Sequence, residues 1–232
     1  MRRVQVIAAG ASQKLVGAVA GQLADVAVEG TFGAVGAMQE RFLGGAACDV
    51  ILLTQRQIEA LAAAGRVAGA PIAPLGRVRT GIAVRVDAAA PAIGTPAEVA
   101  AALLDARAIY VPDMSQSTAG RHFMTILERL GIAREVQPFL RPFPNGATAM
   151  RHLAETTEAN AIGCTQVTEI NATPGLRLVG SLPEAIGLAT VYVAAVSTAA
   201  AEPELAARLV ARLTGPEAAA LRAQGGFESL GT

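Results

Sequence analysis

Three stretches of small, hydroxylated or glycine residues stand where this chain could do chemistry: Gly10-Ala11-Ser12, Thr31-Phe32-Gly33-Ala34-Val35-Gly36, and Ser115-Gln116-Ser117-Thr118-Ala119-Gly120. Each follows an apolar, β-rich run and precedes a helical pattern. Backbone N–H groups without intrahelical partners, the positive end of a helix dipole and hydroxyl donors therefore converge at each. That combination suits a small anion held by neutral donors. The competing reading is that Ser12 and Ser117 only cap their helices. Gly30-Thr-Phe-Gly-Ala-Val-Gly36 is no phosphate-binding lysine loop, because no Lys-Ser/Thr follows it, and it does not sit where a dinucleotide fingerprint would. His122 opens the helix beside the third stretch and admits two roles: a donor or acid/base toward a carboxylate ligand, or a helix-face histidine satisfied by backbone. Gln166 follows a strand and is a candidate ligand residue, whereas His152 reads as structural, Arg121 as solvated and Glu169 as helix surface. Ser117, His122 and Asp113 compose a triad on paper, but no G-x-S-x-G elbow supports it. Metal-ligand spacing is absent, and no residue pattern calls for a metal or a cofactor.

The elements that must position these residues alternate. Val4–Ala9 reads as a strand closed by Gly10, followed by a helix from Ser12 to about Leu23. Asp25–Gly30 is a second strand, and a helix runs from Gly33 to Leu43. Cys48–Thr54 is a third strand, apolar on both faces as central parallel strands are. Thr54 and Gln57 then form a capping box for a helix to Ala64. After the breakers Pro71, Pro74 and Gly76 comes a strand at Val78–Val86. Thr95-Pro96-Ala97-Glu98 opens a helix with cap, proline and acid in their favoured positions. The alternation repeats: strand 108–111, helix 117–130 stopped by Gly131, strand 136–140, helix 146–156, strand 161–165, a short helical turn, and strands 176–180 and 189–196. Helices at 203–213 and 216–224 close the chain, the second capped by Thr214 with Glu217.

Such βαβ series demand mostly parallel sheets flanked by helices. The expected architecture is two α/β lobes, residues 1–80 with 190–232 and residues 84–187, with crossover strands near 78–86 and 187–196. Small-molecule sites favour the junction of such lobes, so an interlobe cleft is expected.

Length and composition agree. The chain has 232 residues, enough for two lobes of roughly 100 residues each. Hydrophobic residues make up 52% and formal net charge is zero, which excludes both a disordered chain and a broad electropositive field for nucleic acid. With no Trp and two Tyr, an aromatic base-stacking platform is also excluded. Cys48 and Cys164 each adjoin an apolar run and read as buried small hydrophobes. The uncharged stretch 185–201 is shorter than the ~20 residues of a membrane span and reads as a buried strand with loops. The apolar run after Met1-Arg2-Arg3 is broken by Gln5, so no signal peptide is read. The expectation is therefore cytoplasmic as the sequence begins, and periplasmic if the native start lies upstream.

These residues together resemble the periplasmic molybdate-binding protein family of solute-binding proteins. The matching stretches, in family order, are AAGAS, VEGTFGAVGAMQERFLGGAACDVILLT, GRVRTGIAVR, STAGRHFMTILERLGI and LTGPEAAALRAQGGFES. The resemblance implies a type II periplasmic-binding-protein fold with hinged closure, and ligand groups at Ser12, at the Gly33–Gly36 turn and at Ser117 and Thr118 with neighbouring backbone. It implies a small anionic ligand, an oxyanion such as molybdate or a carboxylate, and an ABC permease as partner if the protein is exported. The tyrosine that molybdate binders often place on the later hinge has no counterpart here, Tyr192 reading as a sheet residue. Aconitate isomerases also resemble this family. The alternative expectation is thus a cytoplasmic isomerase of an unsaturated carboxylic acid, with His122 as its acid/base.

Overall fold

The computed structural model describes residues 2–23, 25–68 and 72–230. Contacts divide the chain into unit 1, Met1–Val78 with Thr190–Thr232, and unit 2, Arg79–Ala189.

Unit 1 opens with β1 (Arg2–Ala9), a 3₁₀ turn over Gly10–Ser12, and α1 (Gln13–Ala20). There follow β2 (Val26–Gly33), α2 (Val35–Leu43), β3 (Val50–Thr54) and α3 (Gln55–Ala63). The strand β4 (Ala73–Arg85) then carries the chain into unit 2. Unit 2 contains α4 (Pro96–Asp105), β5 (Ala108–Pro112), α5 (Thr118–Leu130), α6 (Ala133–Val136) and β6 (Leu140–Phe143). It continues with α7 (Gly146–Glu155), β7 (Ala161–Gln166), α8 (Val167–Ala172) and β8 (Leu176–Ser181). The strand β9 (Ala189–Val196) returns the chain to unit 1, which α9 (Pro203–Thr214) and α10 (Ala219–Gly225) complete.

In unit 1, β1 lies between β2 and β3, parallel to both, and β9 runs antiparallel to β3. Val50, Ile51, Leu52 and Leu53 of β3 are all fully buried, as its unbroken apolar run requires. Leu205, Leu209 and Leu213 repeat at helical spacing and give α9 its buried stripe. Asp49, itself buried, ties three segments together by accepting from the backbone N–H groups of Gln5, Ala201 and Glu202 at 2.7, 2.7 and 3.2 Å.

In unit 2, β5 is parallel to β6 and β7, and β4 pairs antiparallel with β7 and β8. Side chains alternate across β5 with period two. Ile109 and Val111 join Phe123, Ile126, Leu127, Val99 and Leu103 in one core, and Ala108 and Tyr110 join Met150 and Leu153 in the other. Helices thus cover both faces, as a parallel sheet demands.

Several sequence expectations shift. The strand expected at 136–140 is instead the end of α6, a 3₁₀ turn over Gln137–Phe139, and the start of β6. Gly131 turns left-handed at φ 70°, so the chain coils again, and Pro138 has no N–H for a ladder. β6 lies at the end of the strand order, where its Pro142 is tolerated. Thr31, Phe32 and Gly33, expected in a turn, extend β2, and Gly30 is where the Phe32 ring folds across the strand. Pro74 and Gly76 do not break β4. At φ 137°, Gly76 lets the Glu228 backbone approach, and Arg77 and Glu228 exchange two backbone hydrogen bonds of 2.8 and 2.7 Å. Pro71 lies outside the described residues. Thr214 is the last residue of α9 and donates its hydroxyl to the Val210 carbonyl, so it caps nothing downstream; the turn over Pro216–Ala218 starts from Gly215. Both cysteines are free and buried, and burial pushes each thiol up to about 12. Among the described residues, no helix is long and apolar enough to cross a membrane.

Candidate functional site

Parallel sheets bind ligands off the carboxyl ends of their strands. In unit 1 the β1–β2 register pairs Ala9 with Gly33, so the two strands release the chain side by side. Gly10–Ser12 and Ala34–Gly36 are therefore brought together at one edge. Leu52 of β3 pairs with Ala8, which sets the Thr54 exit on the same edge. There the Gln57 side chain completes the capping box of α3 and donates to the Val35 carbonyl at 3.3 Å and to Gln39 Oε1 at 2.8 Å. This bracing fixes the first turn of α2, where Ala34 is the N-cap and offers no side-chain cap to the N–H groups that follow. Ser12 occupies the N-cap position of α1 but makes no capping bond, contrary to the capping expectation. It is 0% exposed, and its hydroxyl has no hydrogen-bond partner among the described residues. A buried hydroxyl left unpaired costs about 1–3 kcal/mol, so this one is an exception that needs an explanation.

In unit 2 the equivalent edge is formed by the exits of β6, β5 and β7. Pro112 of β5 pairs with Phe143 of β6, and Tyr110 with Gly163 of β7, so the starts of α5, α7 and α8 are neighbours. After β5 the chain folds into an Asp113-centred turn. Asp113 Oδ1 accepts from the Ser115 N–H, the Ser115 hydroxyl and the Gln116 N–H at 2.8, 2.6 and 2.6 Å. These bonds, the Ser115 hydroxyl first, hold the carboxyl below its ordinary range. Ser117 is the N-cap of α5 and accepts from Gly120 N–H at 3.4 Å, as expected of a cap. Arg121 is tied back to the Ser115 carbonyl at 2.6 Å. Ser115 is exposed, Thr118 half-buried and Ser117 nearly buried, so their hydroxyls stand at different depths of one turn.

No triad forms. Asp113 is engaged with Ser115 and Gln116, and His122 Nε2 lies 2.9 Å from the Ile186 carbonyl. A carbonyl only accepts, so Nε2 carries the proton and the neutral ring presents Nδ1 as an acceptor. Burial, the largest cause, lowers the His122 pKa from 6.5. At neutral pH this ring therefore has no spare N–H for an anion. His152 stacks on Phe143 with centroids 4.3 Å apart, the structural role expected of it.

Glu169 corrects the sequence reading. It is 7% exposed rather than on a helix surface, and it accepts from Thr165 Oγ1 at 2.5 Å and from the backbone N–H groups of Gln166 and Ala147. Burial raises its pKa from 4.5 to about 7, against those three hydrogen bonds. The carboxylate lies over Gly146, where any Cβ would collide with Glu169 Oε2 and Thr165 Oγ1. Thr168, also buried, has a hydroxyl without a partner among the described residues. The sequence did carry a signal for this cluster: Gln166 is the N-cap of α8 and Glu169 its third residue, so the carboxylate reaches back to the cap N–H as in half of a capping box.

No curated protein sequence matches this chain at a significant level. Solved structures share its fold. The Azotobacter vinelandii periplasmic molybdate-binding protein superposes with a TM-score of 0.78 at 18% identity, covering 98% of this chain and 100% of that one. The sulfate-binding protein SubI from Mycobacterium tuberculosis H37Rv gives 0.73 at 16%, covering 99% and 88%. The structure of L-phospholactate-bound PEB3 gives 0.69 at 14%, covering 98% and 100%. These proteins share the type II periplasmic-binding-protein architecture that the family resemblance implies. The family model for bacterial extracellular solute-binding proteins matches residues 4–228, which is nearly the whole chain, and the chain belongs to that family.

Proposed function

We propose that this solute-binding protein holds a small anion, an oxyanion such as molybdate or a carboxylate, through neutral donors. The proposed ligand groups are Ser12 and the Gly33–Gly36 turn of unit 1, and Ser115, Ser117, Thr118 and Gln166 of unit 2. The observation that carries this reading is Ser12: a fully buried hydroxyl without a partner among the described residues, at the paired exits of β1 and β2 and beside the first turn of α2. Neutral donors of this kind select a fully ionised anion by fit, since a wrong ligand leaves buried donors unpaired. A molybdate-binding protein, a sulfate-binding protein and L-phospholactate-bound PEB3 among the structural neighbours support an anion as the solute. For an exported form, the partner this reading implies is an ABC permease, and the location is the periplasm. The test is a thermal-shift screen of oxyanions and di- or tricarboxylates, followed by calorimetry on the best ligand. Replacing Ser12 and Ser117 together by alanine should weaken binding by about 1–3 kcal/mol, from donors lost to a charged group. Unchanged affinity in that double variant refutes the assignment.

A second reading, an isomerase of unsaturated carboxylic acids, has a foothold in the acceptor Nδ1 of His122. It predicts proton exchange of aconitate in heavy water that His122→Gln abolishes. No exchange with the wild-type protein rejects it.

A further inference from the structure

Resting on the anion-binding reading, we propose that Glu169 couples ligand binding to protonation: when an anion occupies the carboxyl edge of unit 2, the Glu169 carboxylate takes up one proton from solvent. The geometry is that of a buried carboxylate held by three donors. Thr165 Oγ1 and the Gln166 and Ala147 N–H groups bind it, and Gly146 gives it room by lacking a Cβ. It lies on the edge that carries Ser117, and the N–H of Gln166, itself a proposed ligand residue, donates to it.

β4 packs against α8 through Gly81, which faces Val167, and carries the half-buried Arg79, next to the Thr80 that pairs with Gln166, and Arg85, engaged with Asp87 and the Thr156 carbonyl. Arg151, His152 and Glu155 of α7 and Arg177 of β8 are exposed. Arg151 is engaged with Thr148 Oγ1, His152 with the Phe143 ring, and Arg177 with the Ala88 carbonyl. Cys164 of β7 stays a thiol far above neutrality. The causes acting on Glu169 are burial and its three hydrogen bonds, with no charged side chain among them. A second negative charge brought to this low-dielectric edge favours the neutral acid, because like charges disfavour joint ionisation. The proton also changes the chemistry of the edge. The acid gains an O–H donor, and the hydroxyl of Thr168, one residue away, has no protein partner among the described residues.

The carboxyl titrates near neutrality even before a ligand arrives, so the coupling falls in an accessible range. Sulfate and molybdate serve as probes because both remain dianions across the range and contribute no proton of their own. Calorimetry of the full chain between about pH 6 and about pH 8 should show affinity weakening roughly tenfold as pH rises, with about one proton taken up per anion at the upper end. Glu169→Gln should flatten that dependence. Carbon NMR of the Glu169 carboxyl in the wild-type protein supplies a readout independent of the variant, and its midpoint should rise when either anion is added. Binding whose affinity does not change with pH, or an unchanged dependence in Glu169→Gln, or a carboxyl midpoint unmoved by the bound anion, overturns this inference and leaves the anion-binding reading standing. No binding of either probe at any pH, with no oxyanion or di- or tricarboxylate shifting the melting temperature, overturns both.

Discussion

Replacing Gly120 by alanine tests whether the start of α5 is built as tightly as the structure places it. A Cβ at this position would stand 2.6 Å from the Pro112 carbonyl oxygen and 2.7 Å from the Asp113 carbonyl carbon, with the Asp113 oxygen nearer still. All three atoms are backbone, so no side chain can swing away. They are also anchored. Asp113 N–H donates to the Phe143 carbonyl at 2.6 Å, and the Asp113 carbonyl accepts from Ser117 N–H at 3.1 Å. The helix must therefore shift outward by several tenths of an ångström, straining the Ser117 cap and the Asp113 turn. Alanine's better helix propensity returns about 1 kcal/mol at most, whereas overpacking costs about 1–3 kcal/mol or more, so the clash wins. At roughly 2–4 °C per kcal/mol for a chain of this size, the melting temperature should fall by several degrees. Gly17→Ala is the matched control. It sits inside α1 with nothing within 4 Å of the added Cβ, and should stabilise by about 0.5–1 kcal/mol. Urea unfolding followed by far-UV circular dichroism measures both. A Gly120→Ala protein as stable as wild type would refute the tight placement of α5.

Other consequences follow from buried groups and caps. Asp49→Ala should lower stability by about 3 kcal/mol, because three backbone N–H groups in unit 1 lose a common acceptor; a loss under about 1 kcal/mol in urea unfolding would contradict that role. Thr95→Ala removes the hydroxyl that accepts from the Glu98 N–H at 3.2 Å and keeps the backbone N–H that donates to the Glu98 carboxylate at 2.9 Å; it should cost about 1 kcal/mol by the same measurement. Cys48 and Cys164 should not react with a thiol reagent such as Ellman's in the native protein and should both react once it is unfolded; native-state labelling would place a thiol at the surface. The folded-state pKa of Glu169 lies above its unfolded value, so its contribution to stability is full below about pH 4.5 and disappears as pH rises through about 7. The stability difference between wild type and Glu169→Gln should therefore change by about 3 kcal/mol between acid and neutral conditions, and a difference independent of pH would deny the carboxyl its buried setting. His122 works in the opposite direction. Its folded-state pKa is depressed, so stability is full above the unfolded value near 6.5 and is lost as pH falls from there through the lower folded-state value.

What the sequence disclosed and what it concealed have physical causes. Periodicity and capping chemistry are local, and they located β3, α3, α4 and α5 to within a few residues, since an apolar run, a Thr-x-x-Gln or Thr-x-x-Glu box and a helix-ending glycine each act within a few residues of chain. Elements whose character depends on distant partners were harder to read. Gly76 looks like a breaker until Glu228, far along the chain, is seen to pair across it. Pro138 and Pro142 fall close together, yet one opens a 3₁₀ turn and the other lies in an end strand, a distinction made by the neighbouring strand and not by the residue. The same division runs through the candidate site. Ser12 and Ser117 were visible as hydroxyls before helices, but only tertiary packing separates them: Ser117 has the N–H of Gly120 to cap, while Ser12 is buried with its hydroxyl unclaimed among the described residues. The spacing from Gln166 signals a cap for Glu169 but not its burial, because a carboxylate on a short helix is ordinarily solvated. What keeps this one inside is the missing Cβ of Gly146 and the hydroxyl of Thr165, on two other elements. A glycine at the first position of one helix and a threonine near the end of one strand carry no signal by themselves. They become a site only when a third element brings an acid to meet them.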